Sequence, residues 1–515
     1  MLIFKIGSLS ASSYAQSGIT QSTRRLQIAE TDGMIYDRNM VPLVNRDLCS
    51  VIVVNPTEAA MKVLAECLTE DEYKTALEKG SKGRPFLLYT NNYNGSCDDI
   101  EHMAVYNRYS ATDTAQHIIG YTDNEGNGVY GMEKAFESLM DKNHGSLTVR
   151  YHADATGRML RGEGFEIVSD NYASSGGLVL TLDYSIQKLC ENVLQYNNTE
   201  NGAVVVLDAQ TSEILALASS PVFDRDNMSA SLKDENSPFL NRALSAYSVG
   251  SVFKPVVAAA ALEQGISADT VFECEGFVKV NGVRFNCHKK DGHGALDMTG
   301  AMAVSCNSYF IQLGQLTSAE KIISIAEQLG FGEKISLADS IVSSGGILPV
   351  AEEVDSAPAL ANLSFGQGTL LATPLQIGAL YCAFVNGGYY RDPFILKEIV
   401  DGNGKSEAYY KNETNNKVLT DSVCNSICKM LEETVVSGSG KLAAPMMYNA
   451  AGKTATAETG WIENGREIVH TWFAGYYPAN NPQYVIVVFK EDGSSSATEC
   501  APIFRDIVDN ISSEK

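Results

Sequence analysis

Six consecutive residues, Val256-Val257-Ala258-Ala259-Ala260-Ala261, constrain this chain more than any other stretch. A helix through them, expected from about Ser251 to Leu262, is apolar on every side and carries small side chains, so it must be buried all round. Such a helix requires other elements packed on every flank. The sequence after residue 175 provides them: Leu178 to Leu182 reads as a strand, Ile186 to Leu194 as a helix, and Ala203 to Leu207 and Ile214 to Ala218 as a hairpin around Asp208-Ala209-Gln210-Thr211. Helical periodicity continues over 296–315, 318–329, 373–385 and 420–436, and Ile468 to Ala474 and Tyr484 to Phe489 read as paired strands. The expected class is α+β, a sheet covered by helices, and no internal repeat points to a solenoid.

The half before residue 175 is mixed. Residues 1–24 are rich in Ser, Gln and Thr without periodicity and read as a flexible lead-in. Helical spacing runs from Glu58 to Leu77, glycines crowd the stretch around Gly120 to Gly131, and Ser174-Ser175-Gly176-Gly177 is the best linker signal in the chain. The expected organisation is therefore a lead-in (1–24), an N-terminal unit (25–174) and a larger C-terminal unit (175–515). A net charge of −23 repels phosphate backbones, which argues against nucleic acid, and no run approaches the ~20 apolar residues of a spanning helix. The start, Met1 to Gly7, turns polar too soon for a secretory signal, so an export segment is expected to be missing if the protein works outside the cytoplasm.

Eleven scattered cysteines in so long a chain do not form a disulfide framework. Cys424 and Cys428 read as packing residues of a helix. For Cys274 and Cys287, with His288 and His293 nearby, three readings stay open: a metal site, a redox-labile pair, or adjacent reduced thiols. Asp183, Asp208 and Glu213 lie at strand ends or turns and read as solvated carboxylates rather than as a paired acid and base.

Three short words carry chemistry. In Gly250-Ser251-Val252-Phe253-Lys254, a serine opens a helix and a lysine follows one turn later on the same face. A lysine kept neutral by burial can take the serine's proton and make it a nucleophile. In Ser305-Cys306-Asn307, a hydroxyl and an amide can project together into a cleft, the one to relay a proton and the other to hold a substrate amide. In Lys453-Thr454-Ala455-Thr456, alternation suggests an edge strand, on which an extended peptide could lie as an added strand. Each word alone is weak. In this order along one chain, S-x-x-K, S-x-N and K-T-x resemble the motif set of penicillin-binding proteins. Asn241-Arg242-Ala243, Ser364-Phe365-Gly366-Gln367-Gly368 with Thr373-Pro374, and Leu180-Thr181-Leu182-Asp183 narrow the resemblance to class B. Gly33 to Asn39, His117 to Gly120 and Gly131-Met132-Glu133 resemble that class's non-catalytic pedestal.

The resemblance implies a penicillin-binding transpeptidase fold, an antiparallel sheet with helices and an all-helical part, standing on an elongated pedestal that could also be dimerisation-like. It implies a D,D-transpeptidase that cross-links peptidoglycan stem peptides ending in D-Ala-D-Ala and is trapped by β-lactams. Ser251 would be the nucleophile, Lys254 its base and Ser305 a proton shuttle. Asn307 would orient the donor amide, Lys453 would supply positive charge, and Thr454 and Thr456 would bind the donor carboxylate. The N–H groups of Ser251 and Thr456 would form the oxyanion hole. No metal or organic cofactor is implied. The expected partner is a membrane glycan polymerase of the shape, elongation, division and sporulation family. The expected location is the outer face of the cytoplasmic membrane, with the anchor helix absent from this chain. Ala455 stands where the family has Gly, a place where a side chain would crowd the strand that receives the substrate. A β-lactam hydrolase or sensor and a non-catalytic scaffold are the rival readings. Deacylation separates the first of them from a transpeptidase.

Overall fold

The computed structural model describes residues 22–110, 113–412, 414–463 and 465–513. Its centre is a five-stranded antiparallel sheet. The strands are β1 (Gly202–Asp208), β2 (Ile214–Ser220), β3 (Ala451–Glu463), β4 (Arg466–Tyr477) and β5 (Tyr484–Lys490), in the order β2-β1-β5-β4-β3. The expected hairpin β1–β2 and the pair β4–β5 both form. Their sequences are apolar at nearly every position because both faces are covered. Val204, Val206, Ile486 and Val488 face the helix Tyr184–Tyr196 and the C-terminal helix Cys500–Ser513, whereas Val205, Leu207, Val485 and Val487 face the main core.

That core is built round α1 (Lys254–Glu263). Residues 254–261 are all buried, as a helix of small apolar residues demands. It packs against α2 (Met298–Ala303), α3 (Asn307–Thr317), the helix Ala319–Gln328 and α4 (Asp421–Val436). Two expected helices are split. The periodic stretch 296–315 breaks between α2 and α3, where Ser305 takes a left-handed φ of 55°. The stretch from Glu58 to Leu77 divides into Glu58–Cys67 and Glu70–Gly80, because Thr69 and Glu72 form a capping box that starts a new helix.

In the front half, Asp47–Val54 lies between Phe86–Tyr89 and Ile100–Asn107, beside a second sheet of Thr23–Thr31, Gly145–His152 and Glu166–Asp170. Residues 1–21 of the expected lead-in lie outside the described residues, and Thr23 and Arg24 already belong to the first strand of that second sheet. The segment after Ser174-Ser175 runs straight into Gly177–Leu180, which pairs in parallel with Met34–Tyr36 and antiparallel with Leu396–Val400. Ile35, Ile118 and Met132 from the front half lie in the same large core as α1. One ion pair tightens the joint, Arg225 with Asp113 at 2.7 Å, and another, Arg108 with Glu133 at 2.6 Å, holds the front half together beside it. Among the described residues no helix is long and apolar enough to cross a membrane.

Candidate active site

Ser251 does not open the α-helix itself. It sits in a 3-10 turn, Gly250–Phe253, and Lys254 is the first residue of α1. The turn is pinned from two sides. Gly250 has φ 62°, and a Cβ there would lie 3.0 Å from Cβ of Ala457 on β3. Its N–H donates to Gly366 O at 2.9 Å, and a Cβ on Gly366 would fall 1.9 Å from Gly250 O. The Ser364 to Gly368 word therefore serves close backbone contact with the serine turn. Just upstream, Trp472 Nε1 donates to Ser248 O at 2.9 Å and Ser248 N–H donates to His470 Nδ1 at 3.2 Å. That bond fixes Nδ1 of His470 as an acceptor, and burial pushes the imidazole down to about 4. His470 and Trp472 are thus braces of the turn, as the strand reading of this segment allowed.

Lys254 is fully buried, and its Nζ donates to Ser305 O at 2.8 Å, Ser305 Oγ at 3.2 Å and Asn307 Oδ1 at 2.7 Å. The face of Phe310 lies 5.4 Å from the same nitrogen. Ser305 Oγ in turn donates to Ser251 Oγ at 3.2 Å. Among the described residues Lys254 makes no direct hydrogen bond to Ser251; Ser305 Oγ stands between the two. Burial pushes the Lys254 amine down to about 7, which puts its neutral form within reach near neutrality. The split between α2 and α3 explains why these groups meet: Ser305 occupies the turn, and Asn307 is the first residue of α3.

β3 lies on the outer edge of the sheet, with Lys453 opposite Ala474 and Thr456 opposite Thr471. Lys453 is fully buried and donates to Thr454 O at 3.0 Å; burial, then repulsion from Lys254, holds its amine well below the ordinary lysine value. Thr454 Oγ1 lies 2.9 Å from Ser439 Oγ, and Thr456 Oγ1 donates to Ser496 Oγ at 3.2 Å. Ser439 and Ser496 escape a sequence reading, because each meets its partner only through the fold and neither sits in a recognisable word. Ala455 packs against the serine turn. It is buried, and its methyl lies 3.5 Å from where a Cβ on Gly250 would sit, so it fills space behind the serine turn rather than crowding an incoming strand.

The three suspect carboxylates are structural. Asp183 caps the helix Tyr184–Tyr196, Asp208 accepts from Gln210 and Thr211 N–H in its turn, and Glu213 pairs with Arg38 at 2.9 Å. Residues able to hold a metal do occur beside the site: Cys274, Cys287, His293 and Cys306 bring their ligand atoms within 4.8 Å of one another.

A serine on a pinned turn, a buried amine behind it and a free strand edge in front define an active-site-serine acyltransferase that takes an extended peptide. The comparisons agree. Residues 202–509 match the penicillin binding protein transpeptidase domain. Stage V sporulation protein D of Bacillus subtilis (strain 168) is 28% identical over 523 residues, covering 95% of this chain and 78% of that protein. Peptidoglycan D,D-transpeptidase FtsI of Escherichia coli (strain K12) is 26% identical over 533 residues, covering 96% and 86%. A chain from the solved structure "Structural coordination of polymerization and crosslinking by a peptidoglycan synthase complex" shares the fold, with a TM-score of 0.72 at 23% identity over 98% of this chain and 95% of that one. The chain belongs to the penicillin-binding protein transpeptidase family and, within it, to class B.

Proposed function

We propose that this chain cross-links peptidoglycan stem peptides as a D,D-transpeptidase in which Ser251 carries the acyl group. The observation that supports this most is the chain of groups Ser251 Oγ, Ser305 Oγ and Lys254 Nζ, each 3.2 Å from the next, beside an open strand edge. With Lys254 neutral, the Ser251 proton passes to Ser305 as the Ser305 proton passes to Lys254. Ser251 Oγ then bonds to the penultimate D-Ala carbonyl carbon. Collapse of the tetrahedral intermediate breaks the peptide bond, and the terminal D-Ala leaves with a proton returned along the same path. An amine of a neighbouring stem peptide bonds to the acyl carbon, the ester bond to Ser251 Oγ breaks, and a proton from the amine returns through Lys254 and Ser305 to that oxygen, which restores the enzyme. The donor lies along β3. Asn307 holds its amide, and Thr454, Thr456 and Lys453 hold its carboxylate, whose arrival restores the charge that burial takes from Lys453. The N–H groups of Ser251 and Thr456 receive the oxyanion, each such donor being worth a factor of ~10² to 10³ in rate. β-Lactams acylate Ser251 by the same route.

Residues 175–515 carry this chemistry, and residues 25–174 serve as pedestal. The native place is the outer face of the cytoplasmic membrane, next to a glycan polymerase of the shape, elongation, division and sporulation family. The likeness of this fold to a chain of a peptidoglycan synthase complex that coordinates polymerization and crosslinking supports that pairing. The test is intact-protein mass over hours with a penicillin. A single persistent adduct that disappears in Ser251→Ala is expected. Rapid turnover of the adduct makes the chain a β-lactam hydrolase, and folded protein without any adduct makes it a scaffold.

A further inference from the structure

Beneath the Ser305–Asn307 turn, four side chains from separate segments converge. Cys274 ends the strand Phe272–Cys274, Cys287 follows the strand Val283–Asn286, His293 precedes the strand Gly294–Leu296, and Cys306 caps α3. The three sulfurs are buried. The distances have a pattern. His293 Nδ1 lies 3.5 Å from Cys274 Sγ and 3.6 Å from Cys287 Sγ, and Cys287 Sγ lies 3.9 Å from Cys306 Sγ. A tetrahedron with ordinary zinc–sulfur and zinc–nitrogen bonds has S···N edges of ~3.6 Å and S···S edges of ~3.8 Å. A disulfide needs its sulfurs ~2.05 Å apart, so the pair is not bonded. Side chains that merely fill space have no reason to gather three sulfurs and an imidazole nitrogen within 4.8 Å of one another.

Backbone donors reach two of the sulfurs. Backbone N–H groups of Lys289 and Ser308 point at Cys287 Sγ, and Tyr309 N–H donates to Cys306 Sγ at 3.4 Å. Such outer bonds orient sulfur ligands and spread their charge.

We propose that Cys274, Cys287, His293 and Cys306 bind one zinc ion that braces the active-site turn. The donor set is soft and complete at four, which selects zinc and leaves no open position for substrate, so the site is structural. Its reach into catalysis is through the chain. Cys306 lies between Ser305 and Asn307, both of which bond Lys254 Nζ, and Ser305 is held at φ 55°, a left-handed conformation that strains a non-glycine residue. Tying Cys306 to the metal holds that turn against relaxation. Sequence alone does not reveal the fourth ligand, because Cys306 reads there only as the middle letter of the Ser305–Asn307 word.

The full chain, purified without chelator from zinc-supplemented cells, should carry about one zinc per molecule by elemental mass spectrometry. Cys287→Ser should lose it, and His288→Ala should retain it. Because Cys287→Ser can also fail to fold, the wild type is in addition reconstituted with Co²⁺, which should give the intense visible bands of a tetrahedral thiolate–imidazole site. Folded wild type with neither zinc nor that spectrum, or an intact mass lowered by the two hydrogens of a disulfide, overturns the proposal. Stripping the metal should slow penicillin acylation at least about tenfold, with recovery on adding zinc. This last readout rests on the acyl-serine reading, whereas metal content and spectrum do not, so the two can fail separately.

Discussion

The proposed role of Lys254 as base requires a neutral amine, and burial is what makes the amine neutral. Because its amine is pushed down to about 7, the fraction in the active form rises with pH up to that point and is nearly complete above it. The rate of penicillin acylation should therefore rise about tenfold per pH unit below about 7 and level off above. Stopped-flow acylation across that range checks it, and a flat profile removes Lys254 as the base. Ala455 is the second residue whose place changes an expectation. With its methyl behind the serine turn, Ala455→Gly opens a small void and loosens a strand, costing about 1 kcal/mol of stability, while the acylation rate moves less than about tenfold. Thermal melting and the adduct time course measure the two effects. A larger rate change would show that the methyl sets the position of the turn.

Elements meet where the front half grips the back. Arg225 reaches from one to the other, donating to Asp113 Oδ2 at 2.7 Å and to Gly120 O at 2.8 Å, with its guanidinium 4.2 Å over the ring of Tyr109. His117 Nε2 meets Pro238 O at 2.8 Å, and within the front half Arg108 donates to Gly33 O at 3.0 Å. These contacts give physical work to words that the sequence showed only as resemblance. In Asp113→Asn a buried guanidinium loses its countercharge, so a loss of about 3 kcal/mol is expected, read as a lower melting temperature. The Ser251 adduct should still form, because the serine turn rests on β3, β4 and the Gly366 loop rather than on this joint. Loss of the adduct in folded protein would show that the joint controls the site.

At the scale of the whole molecule, the legible part of the sequence was the part written in continuous runs. The central helix, the β1–β2 hairpin and the β4–β5 pair follow from local pattern, because burial on all sides or on both faces leaves its mark residue by residue. The catalytic words were legible for the same reason, each being only a few residues long. What stayed hidden depends on distant segments: the break at Ser305 inside a periodic stretch, the pairing of Ser439 with Thr454, the fourth member of the cysteine cluster, and the core shared by Ile35, Met132 and α1. That shared core also changes how a polymerase partner should be sought, since cutting away residues 25–174 would expose it. Co-purification of an intact, membrane-anchored form with the polymerase from detergent extracts is the expected result, and its absence would count against the partner. The proposed docking of the donor as an extra strand on β3 requires the rim of the largest sheet to stay unsewn, and that rim runs on past the site to Trp461 and Ile462, both exposed. Such a rim accepts any extended chain, including a neighbour's, so the opening proposed for the donor peptide is also the place where crowded copies would stick together.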